Sequence, residues 1–197
     1  MKLIFATHNQ HKVEELKKLL PSNISILSLT DINCHEEIEE TGTTLEENAK
    51  LKANFIKYKY GLDCFADDSG LEVEALGGSP GVYSARYAGD KKNNEDNIKK
   101  IWKELIDKDS TKAQFRTVIA ASFGSKTSIY IGKVIGNLIF EKRGNDGFGY
   151  DPIFIPEGYT KTFAELGDAV KNKISHRALA TQKFLAELPT TLNFNDI

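Results

Sequence analysis

Only two cysteines, Cys34 and Cys64, occur among the 197 residues, with no CxxC spacing and no histidine pattern around them. Two reduced thiols are therefore expected rather than a bridge or a zinc site. Charge of one sign is also lacking. Lys and Arg number 26 against 28 Asp and Glu, a formal net charge of -2. No broad basic field exists to hold a long nucleic acid, so any anion must be gripped by a local cluster. Long apolar runs are missing as well. Leu3 to Ala6 is too short for a signal-peptide core, and nothing approaches the roughly 20 apolar residues of a membrane span. No membrane partner is expected, and the cytoplasm is the expected location. There is no internal repeat, low-complexity tract or linker. What remains, a chain 40% hydrophobic and 27% charged, reads as one globular domain over residues 1–197, or two lobes sharing a sheet.

The order of elements predicts an α/β fold. Leu3 to Ala6 reads as a buried strand. Val13, Leu16, Leu19 and Leu20 then repeat at helical spacing until Pro21 stops them. A second strand is expected at Ile24 to Leu29, followed by an acidic segment, Asn33 to Thr43. A long helix is predicted from Thr44 to Tyr60, with Thr44 and Glu47 at capping-box spacing. Cys64 to Ala66 reads as a short strand ending at Asp67-Asp68, and Leu71 to Leu76 as extended chain before the glycine-rich GGSPGVYSARYAG. After a helix at Asn93 to Ile106, with Trp102 assigned to the core, the β-branched runs Ala113 to Phe123 and Ser128 to Phe140 predict an antiparallel pair turning near Gly124 to Thr127. The sheet is thus expected to be mixed. A short strand, Ile153 to Ile155, a polar connection and a terminal helix at Ser175 to Leu188 complete the reading.

Four places carry chemistry. The loop Thr7 to Lys12 joins a strand to a helix start, where exposed N–H groups and the positive dipole end favour an anion. His11 and Lys12 oppose that dipole by roughly 0.3–1 kcal/mol each when charged, a bias that a bound polyphosphate reverses. The competing reading is an ordinary cap made by Asn9, since the loop is neither a Walker loop nor GxGxxG. Four carboxylates, Glu36, Glu37, Glu39 and Glu40, stand just before a helix; of the acidic residues, Glu36, Glu37 and Glu95 are read as solvated. The adjacent Asp67 and Asp68, followed by Ser69-Gly70, must repel one another unless a cation or hydrogen bonds compensate, and hard carboxylate oxygens suit Mg2+. Asn48 and Lys52, four apart, share one helix face, from which Lys52 reaches a phosphate or simply sits at the surface. Lastly, GFGYDP offers Phe148 and Tyr150 either as stacking rings or as core aromatics, while Lys171, His176 and Arg177 gather donors around the last helix start.

Taken together, ATHNQHK, ETG with ENAKLKA, ADDSGLEVEALGGSPGVYSARYAG, GFGYDPIF, and KTFAEL leading to KNKISHRA make the chain resemble the inosine triphosphate pyrophosphatase family. The motifs run through almost the whole chain in the family's order and spacing. The resemblance implies an elongated central mixed β-sheet flanked by helices, two lobes with the active-site cleft between them, and a homodimer. It implies hydrolysis of non-standard purine nucleoside triphosphates (ITP, dITP, XTP) to the monophosphate and pyrophosphate with Mg2+, cleansing the nucleotide pool. On this basis the triphosphate binds the loop Thr7, His8, Asn9, Gln10, His11 and Lys12, supported by Lys52. Glu39 and Asp68 hold Mg2+, Asp68 also acts as the base, and Ser69 contacts substrate near the metal. Phe148, Gly149, Tyr150, Asp151, Lys171, His176 and Arg177 line the base and sugar pocket. The chain departs from the pattern at His8 and His11, where many members have glycine. The nearest rival, the Maf-type nucleotide pyrophosphatases with pyrimidine preference, carries an N-terminal SxxR that is absent here. A nucleotide sensor without catalysis leaves carboxylates beside a polyanion unexplained.

Overall fold

In the computed structural model, which describes residues 1–188, the apolar start of the chain forms β1 (Lys2–Phe5). Asn9 then caps α1 (Gln10–Leu19), its side chain accepting from Lys12 N–H. That cap starts the helix three residues before its first apolar position, Val13. β2 (Ser25–Leu27) follows and is shorter than the apolar pattern suggested. At α2 (Leu45–Tyr60) the expected capping box of Thr44 and Glu47 is present, and Gly61 ends the helix in the left-handed conformation with φ 69°. The buried stripe of α2 contains Leu45, Asn48, Ala49, Lys52, Ala53 and Ile56. Two polar side chains thus lie on the face that normally carries only apolar ones.

β3 (Cys64–Val73) corrects the sequence reading: one strand of 10 residues runs straight through Asp67 and Asp68 and ends in the short turn Glu74–Leu76. Asn93 caps α3 (Asn94–Leu105). Trp102 is half-buried against the core, its indole N–H donating to Ile139 O at 2.8 Å. β4 (Lys112–Phe123) and β5 (Lys126–Leu138) are joined at Gly124 and Ser125, a connection short enough only for antiparallel strands. β6 (Phe154–Pro156) pairs antiparallel with β5. The polar connection after it is in fact helical. α4 (Phe163–Ile174), kinked at Gly167, is capped by Thr162, and α5 (His176–Ala186) follows the extended Ser175. Hydrophobic spacing does not reveal α4, because its turns bury Phe163, Ala164 and Lys171 rather than a full apolar stripe.

The six strands form one sheet in the order β2-β1-β3-β4-β5-β6, with β1 parallel to both β2 and β3. The fold is therefore mixed α/β. The chain divides into two compact units, one comprising Met1–Asp68, Val118–Ile131 and the described residues from Leu179 on, the other Ser69–Thr117 and Gly132–Ala178. The first unit buries Leu3, Phe5, Val13, Leu16, Phe65 and Phe184, with Phe65 stacked on Phe5 at 4.7 Å between ring centroids. The second buries Leu71, Ile98, Ile101, Phe115, Phe154 and Phe163. Cys34 and Cys64 are buried free thiols, as expected. Among the described residues no helix is long and apolar enough to cross a membrane.

Candidate active site

In the first unit, strand alternation sends neighbouring side chains to opposite faces, and this separates the two aspartates of β3. Asp67 meets Lys12 of α1, with Nζ 2.9 Å from Oδ1. Asp68 meets α2, where Asn48 Nδ2 donates to its Oδ2 at 3.2 Å and Lys52 Nζ lies 3.8 Å from its Oδ1. Lys52 also donates to Glu40 Oε1 at 2.6 Å. The carboxylate that shares Lys52 with Asp68 is thus Glu40. Glu39, the sequence expectation, is exposed. Outside a helix, successive side chains point different ways, and that of Glu40 comes back to Lys52.

Charge in this cluster is self-compensating but not neutral. Burial is the largest influence on Asp68 and pushes its carboxyl above the ordinary aspartate value; Lys52 and Lys12 pull it down, Glu40 and Asp67 push it further up. For Lys52, burial is again the largest single influence and lowers the ammonium. The carboxylates of Asp68, Glu40 and Asp67 together outweigh it and leave the lysine above its ordinary value. A buried ammonium held charged in this way marks a site with surplus negative potential. The donor set fits a hard divalent cation. Glu40 and Asp68 offer oxygen ligands on either side of a positive charge. Among the described residues no three His, Cys, Asp or Glu side chains make a ready ligand set.

The loop before α1 is a cap as well as a candidate anion seat. Thr7 is buried and its Oγ1 accepts from Asn9 N–H at 3.1 Å, while Asn9 Oδ1 accepts from Lys12 N–H at 3.2 Å. His8 Nε2 lies 2.9 Å from Glu36 O, Gln10 donates to Glu14, and the His11 side chain is exposed. The histidines that replace glycines thus stand at the surface, and His8 ties the loop to the acidic segment.

The second unit collects the remaining candidates. Asp151 Oδ2 accepts from Phe148 N–H at 2.8 Å and from Lys171 Nζ at 2.6 Å, both side chains being almost fully buried. A Cβ on Gly147, where φ is 78°, would stand 2.2 Å from that same carboxylate oxygen, so the GFG turn is built around Asp151. Two cations face the Phe148 ring, Lys171 at 5.2 Å and Arg177 at 5.7 Å from its centroid. Arg177 also donates to Ser69 Oγ at 3.3 Å, and Ser69 is 2.7 Å from Thr117 Oγ1. The His176 ring stacks on Phe115 at 4.7 Å. Phe148, half-buried beneath those two cations, is the more accessible aromatic ring of the motif. Tyr150 is the core alternative: it is 5% exposed and donates to Ser84 O at 2.8 Å. Sequence reasoning gave Glu40 no individual role and missed Thr117 and Phe115. Only Glu40 left a signal, its place beside Thr41-Gly42 ahead of the α2 cap.

A mixed α/β sheet carrying buried carboxylates paired to buried lysines, and separately a cation pair over an aromatic turn, defines a class of protein that handles phosphate-bearing anions. The chain belongs to the Ham1 family, whose model matches residues 3–187. It is 52% identical over 188 residues to a Christiangramia forsetii protein named dITP/XTP pyrophosphatase, covering 95% of this chain and 99% of that one. A Flavobacterium psychrophilum protein of the same name is 53% identical over 185 residues, 94% of this chain and 97% of that one. The solved Staphylococcus aureus Ham1 protein matches with a TM-score of 0.86 at 40% identity, covering 94% of this chain and 97% of that chain. The resemblance read from the motifs is borne out.

Proposed function

We propose that this chain is a hydrolase that cleaves ITP, dITP and XTP to the monophosphate and pyrophosphate, with residues 1–197 acting as one catalytic domain. The observation that carries the reading is Asp68, a buried carboxylate gripped by the Asn48 amide and facing Lys52, which also holds Glu40. The names of the relatives support the choice of substrate.

In this reading Lys12, Lys52 and the Thr7 to Lys12 loop bind the triphosphate. Their charge and N–H groups compensate its oxygens, as a strand-to-helix turn commonly does. Glu40 and Asp68 hold Mg2+, which supplies charge neutralisation on the phosphate oxygens when bound. Asp68 orients a water and takes its proton while the water oxygen bonds to phosphorus, and the bridge between the first and second phosphates breaks to release pyrophosphate. The rate gain comes chiefly from positioning and charge compensation.

Phe148 offers a ring for base stacking, and Arg177, His176 and the N–H groups of the GFG turn offer donors to a 6-oxo purine. A site built to hydrogen-bond one group can reject its analogue by about 10⁴–10⁵-fold, against roughly 10–200-fold for shape alone, so adenine, with a donor at that position, is disfavoured. Asp151 and Lys171 shape this turn from beneath. A homodimer in the cytoplasm is the proposed working form.

The test is a panel of ITP, XTP, dITP, GTP, ATP, UTP and dTTP with Mg2+, with pyrophosphate and orthophosphate quantified separately. Pyrophosphate from the first three is expected. Orthophosphate alone, or preferential use of UTP and dTTP, would sink the proposal.

A further inference from the structure

Asn48 is an anomaly of α2. It is fully buried on the apolar stripe of the helix, where asparagine is a poor helix former and an amide must find partners. Both ends of its carboxamide are used. Oδ1 accepts from Gly42 N–H at 2.8 Å, and Nδ2 donates to Asp68 Oδ2 at 3.2 Å. The orientation of the amide is fixed chemically, because a backbone N–H only donates; the oxygen must face Gly42 and the nitrogen Asp68. One turn further along the helix, Lys52 spans the same two segments through charge, reaching Glu40 and the other oxygen of Asp68. Space agrees with this, since a Cβ on Gly42 would lie 2.6 Å from Asn48 Oδ1 and 2.6 Å from Glu47 Cβ. The turn carrying Glu40 is therefore packed directly against the amide that holds Asp68.

We infer that Asn48 is a positioning residue: its carboxamide sets the orientation of the Asp68 carboxylate and ties it to the Glu40–Gly42 turn, so that the two cation-binding carboxylates keep a fixed spacing. Lysine alone cannot do this. An ammonium on a flexible stem attracts both carboxylates but imposes little direction on either, whereas the planar amide fixes one oxygen of Asp68. The inference rests on the proposed role of Asp68, and the test separates the two.

Asn48→Asp keeps an acceptor for Gly42 N–H and loses the donor to Asp68; Asn48→Leu, of similar volume, loses both. For each full-length variant, kcat and KM for dITP are measured with Mg2+, Mn2+ binding to the nucleotide-free protein is followed by electron paramagnetic resonance, and cooperative melting checks the fold. Loss of a hydrogen bond that orients a ligand typically costs about 10–100-fold in metal affinity or activity. Both variants are expected to lose about that in kcat with KM changed by less than about threefold, and Asn48→Leu is expected to bind Mn2+ about 10-fold more weakly. A role confined to bracing the Gly42 turn leaves Asn48→Asp at wild-type kcat, and that result overturns the inference, as does unchanged Mn2+ affinity in Asn48→Leu. If Asn48→Leu does not fold, Gly42→Ala displaces the same amide and takes its place, with the same losses expected. Should the wild-type chain release no pyrophosphate, the proposed reaction fails, while the Mn2+ arm still decides the role of Asn48.

Discussion

Asp68 owes its chemistry to being buried beside charges that do not fully neutralise it. Replacing it with asparagine keeps the shape, removes the proposed base, and is expected to lower kcat by about 10²–10⁴-fold, the usual worth of a positioned proton acceptor. The same change is expected to stabilise the metal-free protein. A folded-state pKa raised above the unfolded value means that the stability contribution of Asp68 is fully present below its unfolded pKa and lost as pH rises through the raised folded pKa. The melting temperature of Asp68→Asn should therefore exceed that of the wild type at neutral pH, and the gap should close as pH falls through the raised carboxyl pKa. Melts from pH 4 to 8 in chelator check the sign, and a gap that widens on acidification would contradict it. At the neighbouring glutamates the contrast is spatial, because Glu40 reaches Lys52 and Glu39 is exposed. Glu40→Gln is expected to raise the Mg2+ concentration for half-maximal rate by about 10–100-fold, with Glu39→Gln near wild type in the same titration.

Each site segment is held by an element whose own start is well fixed. α2 carries Asn48 and Lys52, and its first turn is secured by Thr44 accepting from Glu47 N–H while the Glu47 carboxylate accepts from Thr44 and Thr43 N–H groups. Thr44→Ala is expected to cost about 1 kcal/mol and lower the melting temperature by about 2–4 °C. Because the cap also sets where Asn48 and Lys52 begin, kcat should fall more than that small loss of stability alone implies; a thermal scan and steady-state rates on one preparation test both. β3 illustrates a different control. Its continuity from Cys64 to Val73 sends Asp67 and Asp68 to different helices, where Lys12 and Lys52 supply the compensating charge that their adjacency demands.

For the whole chain, chelation followed by Mg2+ readdition is expected to abolish and then restore pyrophosphate release. Sedimentation should show a species of twice 22.0 kDa if the proposed homodimer forms. Much of the architecture was legible in the residues themselves: the periods of Val13 to Leu20 and of the two β-branched runs, the capping box at Thr44, and motifs that follow one another in a family's order. Such features are local, set by backbone geometry and a few neighbouring side chains, so the sequence by itself determined a mixed α/β fold, the starts of α2 and α3, and the family. Tertiary structure alone decided that Glu40 rather than Glu39 reaches Lys52, that Tyr150 lies in the core while Phe148 is half-buried, that α4 is a helix, and that Asn48 grips Asp68 across 20 positions. These depend on which side chains meet after distant segments pack, where burial and pairing, rather than sequence spacing, set the energy of each group.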